Sequence, residues 1–139
     1  MTRRSSLARA YLAVVGVGLL AQGGASLLVR LTGRNPHLTT RLLSDPSHAT
    51  IHLLWAVALL GVLVFGDRQA GERACLAFGV FYVAFLALGL LAHHPFGMEI
   101  DWPENVFHAV VGPLALLVWA YEVPFRRGRD RPRHLEETR

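Results

Sequence analysis

The sequence contains four separate apolar stretches, each close to the length that an α-helix needs to cross the hydrocarbon core of a bilayer. None of them shows the strict two-residue alternation of a transmembrane β-strand, so helices are predicted. Only 17% of the 139 residues are charged, against roughly 25% in soluble domains. The pattern predicts an all-α integral membrane protein, a four-helix bundle, and argues against a nucleic-acid-binding chain. The predicted spans are residues 10–29, 49–65, 74–92 and 106–123.

The polar segments divide the chain into a membrane domain, residues 1–125, and an Arg-rich tail, residues 126–139, which contains Pro132 and is expected to be disordered. Arginine occurs before the first span, between the second and third spans and most densely in the tail, whereas the connection before the fourth span has none. The first connection contains Arg30, Arg34 and Arg41, which weakens this asymmetry without reversing it. Because cytoplasmic flanks retain positive charge, both termini are predicted to be cytoplasmic in a multi-pass protein of the cell membrane.

The three connections differ in character. Residues 30–47 are long enough to hold a short helix that lies on the outer membrane surface, with Asn35 as its N-cap. Residues 66–71 read as a tight turn, and residues 93–105 as a loop. We therefore expect the first and third connections on one side of the membrane and the turn on the other.

Two matches within the chain indicate an internal repeat. Residues 9–13 read RAYLA and residues 73–77 read RACLA, an offset of 64. The second and fourth spans are each entered through an Asp followed seven residues later by a His, and these two His residues are 56 residues apart. The matches predict two tandem helical hairpins, related by a pseudo-two-fold axis along the membrane normal.

The same Asp-to-His spacing places polar residues on one face of each helix. Asp45, His48 and His52 share a face of the second helix, because seven residues make about two turns. Asp101, Asn105 and His108 share a face of the fourth. Polar groups that face lipid at this depth are costly, so we expect the two helices to be neighbours with these faces pointing into the bundle.

Local helix signals offer a simpler role for the acidic residues. Asp45 precedes Pro46, and Asp101 precedes Pro103, as N-cap residues often precede a proline in the first turn. Glu104 then stands where a capping box places its acidic member. The two Asp residues are therefore interpreted as helix caps.

Three interpretations of the histidines remain open. The first is a structural polar cluster of Asp45, His52, Asp101, Asn105 and His108, in which each imidazole bonds Asn105, Thr50 or a backbone carbonyl and no cofactor is bound. The second is a divalent metal site with His48, His52 and His108 as candidate ligands. The third is a haem bound between His52 and His108.

The motif Asn105-x-x-His108-x-x-x-Gly112, the earlier His52 and the four-span hairpin pattern resemble the bacterial membrane proteins of the domain-of-unknown-function 4383 family. The second span departs from this motif, with Ala49 and Ala56 where Asn and Gly would correspond. The resemblance implies an integral protein of the bacterial inner membrane and no particular chemistry.

The sequence carries no phosphate-binding loop, nucleophile elbow or zinc-protease motif, and its one cysteine, Cys75, excludes an intramolecular disulfide. The functional hypothesis is a non-enzymatic membrane protein with no catalytic residues and no cofactor, in contact with lipid and able to join a homo-oligomer or a larger membrane complex. The alternative is a metal- or haem-binding protein with a redox or transport role that uses His52 and His108.

Overall fold

A computed structural model of the chain describes residues 6–33, 46–92, 98 and 102–129, with side chains up to Glu122 in the last segment. These residues form four helices and no strand, and each helix is long and apolar enough to cross a membrane. The predicted all-α four-helix bundle, with the composition of a multi-pass membrane protein, is confirmed. The helices are α1 (Leu7–Thr32), α2 (Pro46–Phe65), α3 (Arg68–Leu91) and α4 (Trp102–Arg129).

Each helix begins three to six residues before the apolar stretch that predicted it, because polar residues can continue a helix beyond the hydrocarbon. The N-caps of α1 and α3 are described. The Ser6 hydroxyl accepts a hydrogen bond from the Arg9 backbone N–H, and Asp67 accepts one from Ala70. The predicted tight turn over residues 66–71 is accordingly too long. Only Gly66 and Asp67 separate α2 from α3.

The last helix extends into the predicted tail. Residues 126–129 were expected to belong to a disordered tail, but the α4 backbone remains helical through Arg129. Arginine is a good helix former, and its charge is favourable near the negative end of the helix dipole, so the helix does not have to stop where the apolar sequence does. Residues 130–139 lie outside the described part of the chain.

Several other predictions fall on residues that are not described. They are the surface helix that begins at Asn35, the helix caps Asp45 and Asp101, and most of the loop over residues 93–101.

The helices pack as two antiparallel pairs, α1 with α2 and α3 with α4. In the first pair, a Cβ atom on Gly23 would lie 2.9 Å from the Ala49 carbonyl oxygen. In the second, a Cβ on Gly79 would lie 2.7 Å from the Leu116 side chain, and one on Gly112 would lie 3.0 Å from the Val83 backbone nitrogen. These glycines allow close contact between the helices, as small residues do in membrane bundles.

The bundle has a continuous core of aliphatic and aromatic side chains, and its outer surface is apolar as well. The core is built around Leu12, Leu19, Leu59, Phe78 and Tyr82, all of which are buried. Val14, Leu54, Val57, Leu90 and Leu117 are among the large apolar residues that remain exposed. An apolar exterior of this extent is what a helix bundle presents to lipid.

The end of the bundle where α1 and α3 begin, which we call the termini end, is held by charged side chains. Arg68 contacts Glu72 at 3.2 Å and Glu122 at 2.5 Å, and the second Glu122 oxygen accepts a hydrogen bond from the Ala8 backbone N–H at 3.3 Å. Arg9 donates to the carbonyl groups of Leu63 and Gly66 at the C-terminal end of α2. All four helices are thereby connected at this end.

Candidate functional site

The opposite end of the bundle, where α2 and α4 begin, contains a cluster of three buried histidines, which we call the histidine site. His48 and His52 come from the first two turns of α2, and His108 from the second turn of α4. Their exposed fractions are 0%, 3% and 0%. One ligand nitrogen from each ring lies within 4.8 Å of the other two.

The rings meet across the bundle axis although the helices that carry them do not adjoin. The backbones of α2 and α4 hardly approach each other, so the expectation that these helices are neighbours is wrong. The expectation that His52 and His108 point into the bundle is nevertheless confirmed by their burial. The ring centroids of His48 and His108 are 5.3 Å apart, so contact between the two helices depends on the imidazoles.

Two oxygen atoms face the Nδ1 nitrogens of the α2 histidines. Gln22 of α1 places its side-chain oxygen against Nδ1 of His52, and because an amide oxygen can only accept, Nδ1 carries the hydrogen. Glu104 of α4 places a carboxylate oxygen 3.0 Å from Nδ1 of His48, which favours a hydrogen on that nitrogen as well. Nε2 is then the basic nitrogen of His52.

His108 is surrounded by aromatic rings. Its centroid lies 5.2 Å from that of Tyr82, 5.3 Å from that of Phe85 and 5.9 Å from that of Phe107. Within the described part of the chain, neither of its ring nitrogens has a hydrogen-bond partner, and the same is true of His52 Nε2 and the Tyr82 hydroxyl. Buried polar atoms without partners cost about 1 to 3 kcal/mol each, so they call for a physical explanation.

The predicted site residues are only partly brought together. His48, His52 and His108 form one cluster, and Asn105 lies one turn before His108, partly buried. Asp45 and Asp101 lie outside the described residues. Thr50, an expected partner of the imidazoles, is exposed and donates instead to the Pro46 carbonyl of its own helix at 2.7 Å.

Sequence reasoning missed three residues at the site. Glu104 was assigned to a capping box, yet one of its oxygens faces His48. Gln22 was overlooked, although an amide in the middle of an otherwise apolar span is a polar signal in its own right. Tyr82 gave no signal, because an aromatic residue in an apolar helix is normally part of the core.

The geometry distinguishes the two cofactor interpretations. The ring centroid of His48 lies 4.5 Å from that of His52 and 5.3 Å from that of His108, whereas the centroids of His52 and His108 are 6.4 Å apart. The His48 ring therefore stands beside the line between the other two, where a porphyrin bound by both would have to lie. The described residues do not fit a haem at this position.

A single metal ion fits more easily. Ligand nitrogens of a tetrahedral zinc site are about 3.3 Å apart, since each Zn–N bond is about 2.0–2.1 Å. The three imidazoles would have to approach one another by about 1.5 Å at most, which small side-chain rotations can provide.

Three of the five buried positions of α2 have buried counterparts in α4 at the same offset of 56 that relates the two Asp-to-His matches. His52 corresponds to His108, Ala56 to Gly112 and Leu59 to Ala115, and all six are buried. At the same offset His48 corresponds to Glu104, and these two side chains contact each other.

Comparison with known proteins adds no functional information. No protein-family model matches the chain, and no curated protein or solved structure has significant similarity to it. The resemblance to the domain-of-unknown-function 4383 family therefore rests on the short α4 motif, His52 and the order of the four spans.

Proposed function

We propose that this chain is a multi-pass membrane protein that binds one divalent transition-metal ion through His48, His52 and His108. The observation that carries the proposal is the convergence of three buried imidazoles, with ligand nitrogens within 4.8 Å of one another. Charged or polar side chains inside a membrane bundle are expensive to keep, and functional sites are the usual reason for them.

The residues around the ligands support the same proposal. Histidines that bind metals usually donate their second ring N–H to a carboxylate or a carbonyl oxygen, which orients the ring. Gln22 and Glu104 stand in these positions beside His52 and His48. The Glu104 carboxylate also supplies negative charge close to a cation.

The donor set defines the class of ion. Imidazole nitrogen suits Zn²⁺, Cu²⁺, Ni²⁺ and related ions, whereas Mg²⁺ and Ca²⁺ require oxygen ligands. Three nitrogen ligands leave one tetrahedral position for water. We propose a binding role and retain the hypothesis that the protein is not an enzyme.

A purely structural cluster is the second candidate. It is favoured by the hydrogen bond between Gln22 and His52, which connects α1 to α2. It accounts poorly for His108, whose two nitrogens have no hydrogen-bond partner among the described residues. A metal ion would give at least one of these nitrogens a partner, so we favour the metal.

Orientation and origin are part of the proposal. The arginine distribution supports cytoplasmic termini, and with that orientation the histidine site would lie near the outer face of the cell membrane. The three buried positions that α2 and α4 share at an offset of 56 support a duplicated hairpin as the origin of the bundle.

Metal binding can be measured on protein purified in detergent and stripped with a chelator. We expect calorimetric titration to give one Zn²⁺ per chain, and Co²⁺ to produce the visible absorption of a tetrahedral nitrogen site. His52→Ala and His108→Ala should each abolish both signals. Mg²⁺ should not bind to the wild-type protein.

The other histidines provide the control. A variant with His37, His93, His94 and His134 all replaced by Asn should still bind one ion, because the site is intact. Wild-type protein that binds no Zn²⁺, or Zn²⁺ binding that survives His108→Ala, would refute the proposal.

A further inference from the structure

The surroundings of the histidine site differ sharply on its two sides along the bundle axis. Towards the end where α2 and α4 begin, the Glu104 carboxylate lies against His48, and the Glu104 side chain is 17% exposed. His48 beside it is fully buried, and His52 and His108 lie one turn deeper from their helix starts. The partly open carboxylate therefore marks the side on which the site communicates with solvent.

On the other side, aromatic rings close the bundle beneath the histidines. Tyr82 lies against both His52 and His108, with ring centroids 6.2 Å and 5.2 Å away. Phe78 follows at 4.4 Å from Tyr82, and Tyr11 packs edge-on against Phe78 at 6.3 Å. Phe78 and Tyr82 are fully buried, so this aromatic floor is closely packed.

The aliphatic core continues the closure towards the termini end. Leu12, Leu19 and Leu59 are buried there, and the Tyr11 hydroxyl donates to the Val111 carbonyl at 2.6 Å. Beyond them, Glu72 and Glu122 are bound to Arg68. An ion that crossed this region would lose its hydration among apolar groups, which is prohibitively costly.

We propose that the histidine site is a blind site, that is, a site open to solvent at one membrane face only. An ion enters and leaves it past Glu104 and does not continue across the membrane. This inference rests on the proposed metal binding. It assigns the protein to those that hold or sense a metal at one membrane face, and it excludes transport through this bundle.

The experiment uses the full-length chain with Thr138→Cys on a Cys75→Ser background, reconstituted into sealed liposomes that contain a zinc-sensitive dye. Residue 138 follows α4 in the sequence, and α4 ends at the termini end, opposite the histidine site. Labelling with an impermeant maleimide therefore counts the molecules whose histidine site faces the lumen. Zn²⁺ is added outside, and bound Zn²⁺ and luminal dye are measured before and after a zinc ionophore.

Before the ionophore, we expect bound Zn²⁺ to equal the unlabelled fraction of the protein, with a luminal dye signal no higher than in protein-free liposomes. After the ionophore, binding should rise to one ion per chain. A luminal signal that exceeds that of His108→Ala liposomes, or full loading without the ionophore, would overturn the blind site and leave metal binding intact. Absence of binding even with the ionophore would instead overturn the proposed function, and the inference with it.

Discussion

Gln22 is a single amide in the apolar interior of α1, and its position determines the chemistry of a residue on another helix. Its oxygen receives the Nδ1 hydrogen of His52, so the ring is held in one tautomer and one orientation. Nε2 of His52 is then available as a metal ligand. Gln22 contacts no ion itself in this arrangement and acts as a positioning residue.

Replacing Gln22 with Leu should weaken Zn²⁺ binding by about 10–100-fold without changing the stoichiometry, because loss of such an outer partner typically costs that much. Gln22→Glu keeps an oxygen acceptor and should restore most of the affinity. Gln69→Leu, at an exposed position of α3, is the matched control. Equal affinity in the Leu variant and the wild type would mean that Gln22 does not position His52.

Among individual residues, the sequence predicts the histidines of the site but not the side chains that contact them. The spacing of His48, His52 and His108 placed them on inward faces, because helical periodicity and the cost of lipid-facing polar groups are local rules. The contacts of Gln22 and Glu104 depend on how each helix is rotated and how far it slides along its neighbour. These quantities are set by packing across the whole bundle and have no local signature.

The helices approach one another where glycine replaces a side chain, and the glycines are not equivalent. Gly16 and Gly23 of α1 are buried against α2, but a Cβ atom on Gly18 or Gly24 would meet nothing within 4 Å. Only the helix rotation in the structure separates those that contact a neighbour from those that face outward.

Gly112→Ala should lower the free energy of unfolding by about 1–3 kcal/mol, the usual cost of overpacking. The added methyl group would lie 3.0 Å from the Val83 nitrogen and 3.2 Å from Tyr82, and backbone atoms cannot easily move away. Gly24→Ala makes the same chemical change in open space and should be neutral or slightly stabilising. Unfolding by SDS in mixed micelles measures both. Similar losses at the two positions would contradict the packing argument.

At the scale of the whole molecule, the two ends of the bundle are joined by different chemistry. Imidazoles and a carboxylate connect α2 with α4 at one end, and ion pairs connect all four helices at the termini end. The four spans and their order were predictable, because apolar length is a strong signal. The charged contacts that join distant helices were not, since they form only after the bundle has assembled.

Glu122→Ala should destabilise the bundle by about 1.5–3 kcal/mol, the range for hydrogen bonds to charged groups. The substitution removes one partner of Arg68 and leaves the Ala8 N–H without its acceptor. Arg73→Ala deletes an exposed charge nearby and should leave the unfolding midpoint in SDS unchanged. A Glu122→Ala midpoint that matches this control would show that the termini end does not depend on Glu122.

The predicted topology can be tested in intact cells. Single cysteines at Thr39, Gly97 and Thr138, on a Cys75→Ser background, would be exposed to a membrane-impermeant maleimide. We expect labelling at Thr39 and Gly97 but not at Thr138, because Arg-rich flanks are generally retained on the cytoplasmic side. The reverse pattern would invert the orientation and move the histidine site to the cytoplasmic face.

The connection between α2 and α3 is only two residues long, and each of the two helix ends is capped without help from the other helix. Gly66 donates to Val62 of its own helix, and Asp67 caps the helix that follows. The chain could therefore be made as two polypeptides that divide between these residues, without removing a helix cap. His48 and His52 would belong to one polypeptide, and His108 and Glu104 to the other. An ion bound between them would crosslink the two polypeptides. Occupancy of the metal site could then be measured as the association of the two fragments.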